Sequence, residues 1–244
     1  MVVCFSEIYD FISIWTMKIL IVSATRMEVK LLVDEFDFVA EKAHSINEYK
    51  FAGNEIDVLI TGIGTTFTTF HLTTTLQQHC YQLVLNVGIA GSFTTDLKIG
   101  EVVNVVSEEF ADLGIEERMQ FLTLFESGFM EGNEFPFENG LLKATPSNGL
   151  MNISKVRGIT TNKSHGKNSS ISAIKEKFSA HIESMEGAAV FYVCNWYGVP
   201  CYEIRAVSNY VAPRELAHWN IPLALENLKH TVLEVLTKVT ITVH

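Results

Sequence analysis

The 244-residue chain has few of the residues that mark several large classes of protein. Its four cysteines lack the paired spacing of a zinc site and the density of a secreted disulfide scaffold, so we expect reduced thiols. Lysine and arginine total 18 against 28 acidic residues, and the net charge of −10 argues against nucleic acid or an anionic membrane as the main partner. No apolar run approaches the length of a membrane-spanning helix. These features predict a cytoplasmic globular protein.

Motifs for cofactors, metals and one large hydrolase class are also missing. The chain has no Gly-x-Gly-x-x-Gly dinucleotide fingerprint, no phosphate-binding Gly-Lys-Ser/Thr loop and no Gly-x-Ser-x-Gly nucleophile elbow. Its eight histidines show no metal-ligand spacing. We therefore expect a protein that works without a metal ion.

The first sixteen residues differ from the rest of the chain. They are rich in large apolar side chains and contain Glu7 and Asp10 but no lysine or arginine, whereas a secretory signal begins with basic residues. The first strand pattern starts at Met17. We interpret residues 1–16 as an upstream extension and residues 17–244 as one domain. The alternative is a short apolar helix that covers an oligomer surface.

Short apolar runs alternate with helical patterns over most of residues 17–244. Strands are predicted at 18–24, 57–61, 83–87, 101–106, 156–160 and 201–207, and helices at 27–36, 65–80, 171–178, 185–197 and 223–236. Residues 115–155 look irregular. The alternation predicts an α/β fold, a single three-layer domain with a central mixed, largely parallel twisted sheet flanked by helices.

Small and polar residues follow the predicted strands, at the sheet edge where α/β proteins bind ligands. The segment Gly88-Ile89-Ala90-Gly91 offers a smooth floor for a flat base or a sugar, and the alternative is a tight strand-to-helix turn. Glu28 and Glu186 stand at predicted helix starts, where an acid stabilises the helix by about 0.3–1 kcal/mol without any further role. Arg205 lies inside a strand and needs either an acidic structural partner or a role in the site.

Several segments resemble the purine and uridine phosphorylase superfamily, and within it the nucleosidase branch that includes methylthioadenosine/S-adenosylhomocysteine nucleosidase. The segments are Met17-Lys18-Ile19-Leu20-Ile21 with Glu28, Asn86-Val87-Gly88-Ile89-Ala90-Gly91, Ser184-Met185-Glu186-Gly187-Ala188-Ala189 and Ile204-Arg205-Ala206-Val207-Ser208. The resemblance implies a nucleoside phosphorylase-like fold and a cytoplasmic homo-oligomer, with a dimer favoured. It also implies a small-molecule nucleoside as substrate and no cofactor.

The resemblance assigns a role to each matching residue. Glu28 resembles the base that activates water, and Arg205 the arginine near that water. Glu186 resembles the carboxylate that binds the ribose diol, with Met185 packed beside the sugar. Ile89 stands where related enzymes often have a serine near the water.

Asn209 occupies the place of an aspartate that protonates purine N7 in adenine-specific nucleosidases. An amide there donates to the O6 and N7 acceptors of a 6-oxopurine, which an ionised aspartate would repel. Ser208, which precedes it, is included among the substrate-binding residues.

A narrower resemblance is to the futalosine hydrolases, which release hypoxanthine from futalosine in a menaquinone pathway. It rests on segments 110–114, 185–194 and 208–214, and it places Phe110 among the substrate-binding residues.

Phosphorylases of the superfamily hold phosphate with several arginines, whereas this chain has five in all, without a cluster, so water is the expected nucleophile. The alternatives are a purine nucleoside phosphorylase for inosine or guanosine and a non-catalytic nucleoside-binding or storage protein. The candidate cations for the benzoate of futalosine are Arg118, Lys163, His165, Lys167 and Arg214.

Overall fold

The structure is a computed structural model that describes residues 16–43, 45–118, 120–146, 150, 152–213 and 219–239. The predicted extension lies almost wholly outside the described residues, so its boundary at residue 17 stays a prediction. The first strand begins at Lys18, and Met17 before it is already buried.

The strands within these residues are β1 (Lys18–Ser23), β2 (Asp37–Ala43), β3 (Ile46–Phe51), β4 (Asn54–Ile60), β5 (Leu83–Ser92), β6 (Val102–Glu108), β7 (Gly114–Glu117), β8 (Gln120–Thr123), β9 (Leu142–Lys143), β10 (Ser154–Thr160), β11 (Ile182–Ser184) and β12 (Cys201–Tyr210). The helices are α1 (Arg26–Val33), α2 (Thr65–Gln78), α3 (Asn168–Lys177), α4 (Gly187–Tyr197) and α5 (Ile221–Lys238).

One large mixed sheet forms the middle layer. Its strand order is β11-β10-β6-β12-β5-β1-β4-β3-β2, and β4, β1, β5 and β12 run parallel to one another. Strand β6 is antiparallel to β12, and β11 pairs with both β10 and β5, which closes one end of the sheet into a ring. Helices α1 and α5 pack on one face and α2 and α4 on the other. This arrangement confirms the predicted fold class.

Strands β5 and β12 continue past their predicted ends, and both extensions carry site residues. Strand β5 continues through the Gly-rich segment to Ser92, which decides against the alternative of a tight turn at 88–91. Its second half is held by β12 on one side and β11 on the other. Strand β12 continues to Tyr210, with an irregular register between Val207 and Asn209. Ser208 and Asn209 therefore lie inside a strand at a bulge, where the local twist re-aims side chains.

The cysteines follow the expectation only in part. Cys194 and Cys201 are free and buried, but Cys80 is disulfide-bonded, so the expectation of reduced thiols is wrong for Cys80. In the described ranges, no helix is long and apolar enough to cross a bilayer.

Candidate active site

Glu28 joins the start of α1 to the middle of β5. Its Oε2 accepts hydrogen bonds from the backbone N–H (3.1 Å) and the hydroxyl (2.8 Å) of Thr25, and its own N–H donates to the Thr25 hydroxyl at 3.4 Å. This reciprocal pair is a capping box, so the helix-start interpretation is confirmed. The second oxygen, Oε1, accepts from the backbone N–H of Ile89 at 3.1 Å. Glu28 therefore has a structural role and also faces the floor that the sequence predicts.

Arg205 is buried at 1% exposure and reaches the same floor. Its Nε donates to Glu203 Oε1 at 2.7 Å, and its Nη1 lies 3.7 Å from Glu186 Oε2. A Cβ on Gly88 would lie 2.3 Å from Arg205 Nη1 and 2.6 Å from Glu28 Oε1. The guanidinium and the carboxylate thus converge on the bare backbone of Gly88, and any larger residue there would displace one of them.

Glu186 lies at the N-cap of α4 rather than in its first turn. Its Oε1 accepts a hydrogen bond from the backbone N–H of Gly64 at 3.0 Å. Burial raises the pKa of Glu186, although the Arg205 guanidinium and the Gly64 N–H both act against that rise. We call Glu28, Glu186, Arg205 and Gly88 the carboxylate–arginine cluster.

The charges of this cluster act on one another. Burial alone would lower the pKa of Arg205, but Glu203, Glu186 and Glu28 raise it above its ordinary value, so the guanidinium stays charged. Two carboxylates beside a fixed cation can accept hydrogen bonds from water and from vicinal hydroxyl groups. The cluster can therefore orient water and a sugar at one point.

A second group of polar residues lies around Asn209, farther along β12. Its Oδ1 lies 2.8 Å from the hydroxyl of Ser208, and its Nδ2 donates to the carbonyl of Tyr210 at 3.1 Å. Only one of the two Nδ2 hydrogens is engaged by a described residue. A Cβ on Gly91 would lie 3.3 Å from Asn209 Nδ2, so the amide borders the floor of β5. We call Ser208, Asn209, Ala90 and Gly91 the amide site.

A buried histidine–carboxylate pair borders the amide site. His165 Nδ1 lies 2.6 Å from Glu183 Oε2, and the His165 backbone N–H donates to Glu183 Oε1 at 3.1 Å. The Glu183 Cγ would be 3.5 Å from a Cβ on Gly91. The Nδ1 atom of His165 is thus already paired with Glu183. The other candidate cations Arg118, Lys163 and Lys167 are exposed, and Arg214 lies outside the described residues.

The remaining predicted substrate-binding residues lie near these groups. Met185 is half-buried and precedes Glu186 in the chain, and Ala90 is buried with its carbonyl 3.3 Å from the Ser208 hydroxyl. Phe110 is half-buried and lines a cavity of about 770 Å³ with Thr65, which follows Gly64 at the start of α2. We call this the aromatic cavity; its aromatic lining residues are Phe70, Phe110, Phe125, Phe137 and Tyr192.

Sequence reasoning missed two residues that position the site, namely Glu183 and Glu203. Glu203 had a detectable signal, because residues two apart on a strand share a face and Arg205 follows it at that spacing. The contact of Glu183 with His165 spans 18 residues of chain and that of Gly64 with Glu186 spans 122, and no local pattern predicts either contact. No group of three or more His, Cys, Asp and Glu in the part of the chain that the structure describes could hold a metal ion.

The fold and the residues of this site correspond to those of a known class of proteins. A model of the phosphorylase superfamily matches residues 18–237, and the chain belongs to that superfamily.

Among curated proteins, the chain is similar to futalosine hydrolase of Thermus thermophilus, with 30% identity over 225 residues covering 90% of this chain and 95% of the relative. It is also similar to aminodeoxyfutalosine nucleosidase of Campylobacter jejuni, with 29% identity covering 79% and 86% of the two chains. Among solved structures, futalosine hydrolase of Helicobacter pylori matches with a TM-score of 0.76 and 19% identity, covering 92% of this chain and 99% of the other.

Proposed function

We propose that the protein hydrolyses the N-glycosidic bond of a 6-oxopurine nucleoside, with futalosine as substrate and hypoxanthine as the released base. The observation that carries the proposal is that Glu28 and Arg205 converge on Gly88, while Glu186 lies 3.7 Å from the Arg205 guanidinium. Two relatives at 29–30% identity, named as a futalosine hydrolase and an aminodeoxyfutalosine nucleosidase, support the reaction class.

The mechanism follows from what each group can accept or donate. As the bond to the base lengthens, positive charge grows on the ribose. Glu28 takes a proton from the attacking water, and Glu186 accepts hydrogen bonds from the ribose diol. Arg205 holds both carboxylates in place, and Asn209 donates to the departing base, which gathers negative charge.

Water is favoured over phosphate by the charges around Gly88. Arg205 is the buried arginine of the described chain, while Arg26, Arg118 and Arg157 are exposed. The Arg205 guanidinium is already engaged by Glu203 and lies beside Glu186. A phosphate dianion at Gly88 would meet the carboxylate of Glu28 and, beside Arg205, that of Glu186, while the one buried arginine among the described residues is already paired.

The aromatic cavity supports a substrate with an aryl group at its 5′ end. It begins one residue from Gly64, whose N–H binds Glu186, and its lining is mostly apolar and aromatic. Futalosine carries a benzoate, whose ring suits such a lining. The cation for its carboxylate is left unassigned.

We also propose that the protein is a homo-oligomer, most simply a dimer, in the cytoplasm. Large apolar side chains are exposed near the aromatic cavity, namely Phe67, Phe70, Phe129, Phe135 and Trp196, each at more than half exposure. A contiguous exposed apolar area of this kind is typical of an interface. Light scattering on the purified protein should give the mass of a dimer, and a monomer mass would contradict the proposal.

The substrate is tested by incubating the protein with futalosine, inosine and methylthioadenosine and measuring the released base by chromatography. We expect hypoxanthine from futalosine at the highest kcat/KM. Faster release of adenine from methylthioadenosine would overturn the 6-oxopurine assignment, and preferred cleavage of inosine would overturn the 5′ assignment. No turnover of any nucleoside would favour a binding or storage role.

A further inference from the structure

Behind the carboxylate–arginine cluster lies a second pair of acids that the mechanism above does not use. Glu203 is on β12 and Glu108 at the end of the neighbouring β6, and both side chains are fully buried. Glu203 Oε1 accepts from Arg205 Nε at 2.7 Å. Glu108 Oε2 accepts from the Thr160 hydroxyl at 2.8 Å, and that hydroxyl in turn accepts from the Ala188 backbone N–H at 2.8 Å.

The two carboxyl groups face the same point. A Cβ on Gly187 would lie 2.6 Å from Glu108 Oε1 and 2.7 Å from each oxygen of Glu203. The facing oxygens, Glu108 Oε1 and Glu203 Oε2, are buried and have no hydrogen-bond partner among the described residues. Such oxygens are costly in a protein interior unless a proton or another donor lies between them.

The charges around Arg205 also favour a proton between these two carboxyl groups. The four carboxyl groups of Glu28, Glu108, Glu186 and Glu203 surround one guanidinium, and none is more than 9% exposed. Burial raises the pKa of both Glu108 and Glu203, and the charge of Glu203 raises that of Glu108 further. Glu109 also acts to raise the pKa of Glu108, while Arg205 and the Thr160 hydroxyl act to lower it.

We propose that Glu108 and Glu203 carry one proton between them, resident on Glu108, and that they are positioning residues for Arg205. Glu203 is the ionised partner because it makes the close contact with the guanidinium. Protonated Glu108 turns its hydroxyl toward Glu203 Oε2, so both unpaired oxygens gain a partner. The pair fixes the angle at which Arg205 approaches Gly88 and Glu186. Its role in catalysis rests on the proposed function, whereas its protonation state does not.

The test compares three glutamate-to-glutamine variants. Glu108→Gln replaces a neutral acid by a neutral donor, so we expect kcat/KM and thermal stability close to wild type. Glu203→Gln removes the charge that anchors Arg205 and should lower kcat, with the protein still folded, by about 10²-fold, the effect of a small misplacement in a site. Glu117→Gln, at an exposed position on β7, is the control and should change neither quantity. A loss in Glu108→Gln as large as that in Glu203→Gln would overturn the proposal.

Infrared spectroscopy tests the proton without any activity assay. The wild-type protein at neutral pH should show the carbonyl band of a buried protonated carboxylic acid, and Glu108→Gln should lack it. Absence of that band in wild type would mean that both acids are ionised and would overturn the proposal, even if Glu108→Gln fails to fold. Because the readout needs no substrate, the band can be present in a protein that cleaves none of the three nucleosides, in which case only the proposed function fails.

Discussion

The carboxylate–arginine cluster and the amide site use the same strand, β5, with opposite chemistry. At Gly88, the carboxylate of Glu28 from α1 and the guanidinium of Arg205 from β12 crowd onto bare backbone, and Glu186 at the start of α4 lies beside that guanidinium. At Gly91, the neighbours are the apolar side chain of Val211, the neutral amide of Asn209 and the side chain of Glu183, which is paired with His165. The carboxylate–arginine cluster can transfer a proton and balance a growing positive charge. The amide site can only form hydrogen bonds that complement the donors and acceptors of a bound base. The proposed function assigns bond cleavage and choice of base to separate groups, and substitutions should separate them.

The largest effect is expected from Glu28→Gln. Loss of the base that activates water should lower kcat by about 10²–10⁴-fold. A glutamine can keep the capping box with Thr25 through its amide oxygen, but its NH₂ then faces the Ile89 N–H, so the fold should remain with a thermal stability lowered by about the value of one hydrogen bond. Steady-state kinetics with a parallel melting curve measure both quantities. Near-normal activity in a folded variant would leave Glu28 with only its capping role.

Gly88→Ala should have the next largest effect. Its Cβ would stand 2.3 Å from Arg205 Nη1, so either the guanidinium or Glu28 must move, and we expect about a 10²-fold loss of kcat/KM. Gly132→Ala is the matched control, because a Cβ there meets only ordinary contacts at 3.5 Å or more. If the two variants have equal activity, the cluster does not converge on Gly88 in the working enzyme.

Asn209→Asp should change the choice of base more than the rate of cleavage in general. The amide donates toward O6 and N7, whereas an acid accepts from a 6-amino group and shares a proton with N7. A mismatched buried polar contact costs about 1–3 kcal/mol, so the preference ratio should shift by roughly one to two decades. The ratio of kcat/KM for futalosine and its 6-amino analogue, taken in both proteins, cancels general damage. An unchanged ratio would show that Asn209 does not read the base.

The smallest effect concerns the pH dependence of stability. The pKa of Glu186 is raised in the folded protein. Its contribution to the free energy of unfolding is therefore fully present at pH values below the ordinary pKa of 4.5, and it is lost as the pH rises through the pKa of the folded state. Glu186→Gln cannot titrate there, so its unfolding free energy should fall less steeply than that of wild type above pH 4.5. Urea unfolding at a series of pH values measures the slopes. Identical slopes would contradict the raised pKa.

The sequence predicts the central strands well because they are short apolar runs buried on both faces. The run at 18–24 corresponds to β1 and the run at 201–207 to the first part of β12. Strand β2 was missed because nearly all its residues are exposed, which leaves no periodic signal. The extension of β5 through two glycines depends on pairing with β11 and β12, which local propensity cannot show.

The candidate site, like the strands, was predicted from the sequence only in part. The resemblance identified Glu28, Glu186, Arg205 and Asn209, and the structure brings the first three together around the Arg205 guanidinium and Gly88. The helix-start role of Glu28 was predicted from its position and is confirmed by its capping box with Thr25. The resemblance did not reveal Glu203 behind Arg205, because the cost of burying a charge becomes visible only when the fold shows which side chains lose contact with water.

The central claim is that water, activated beside Gly88, attacks the sugar. The most direct measurement follows futalosine turnover in water enriched in heavy oxygen, with and without phosphate, and identifies the sugar product by mass spectrometry. The account predicts the same rate in both conditions and one heavy oxygen in the free sugar. A sugar 1-phosphate product, or turnover only when phosphate is present, would contradict it.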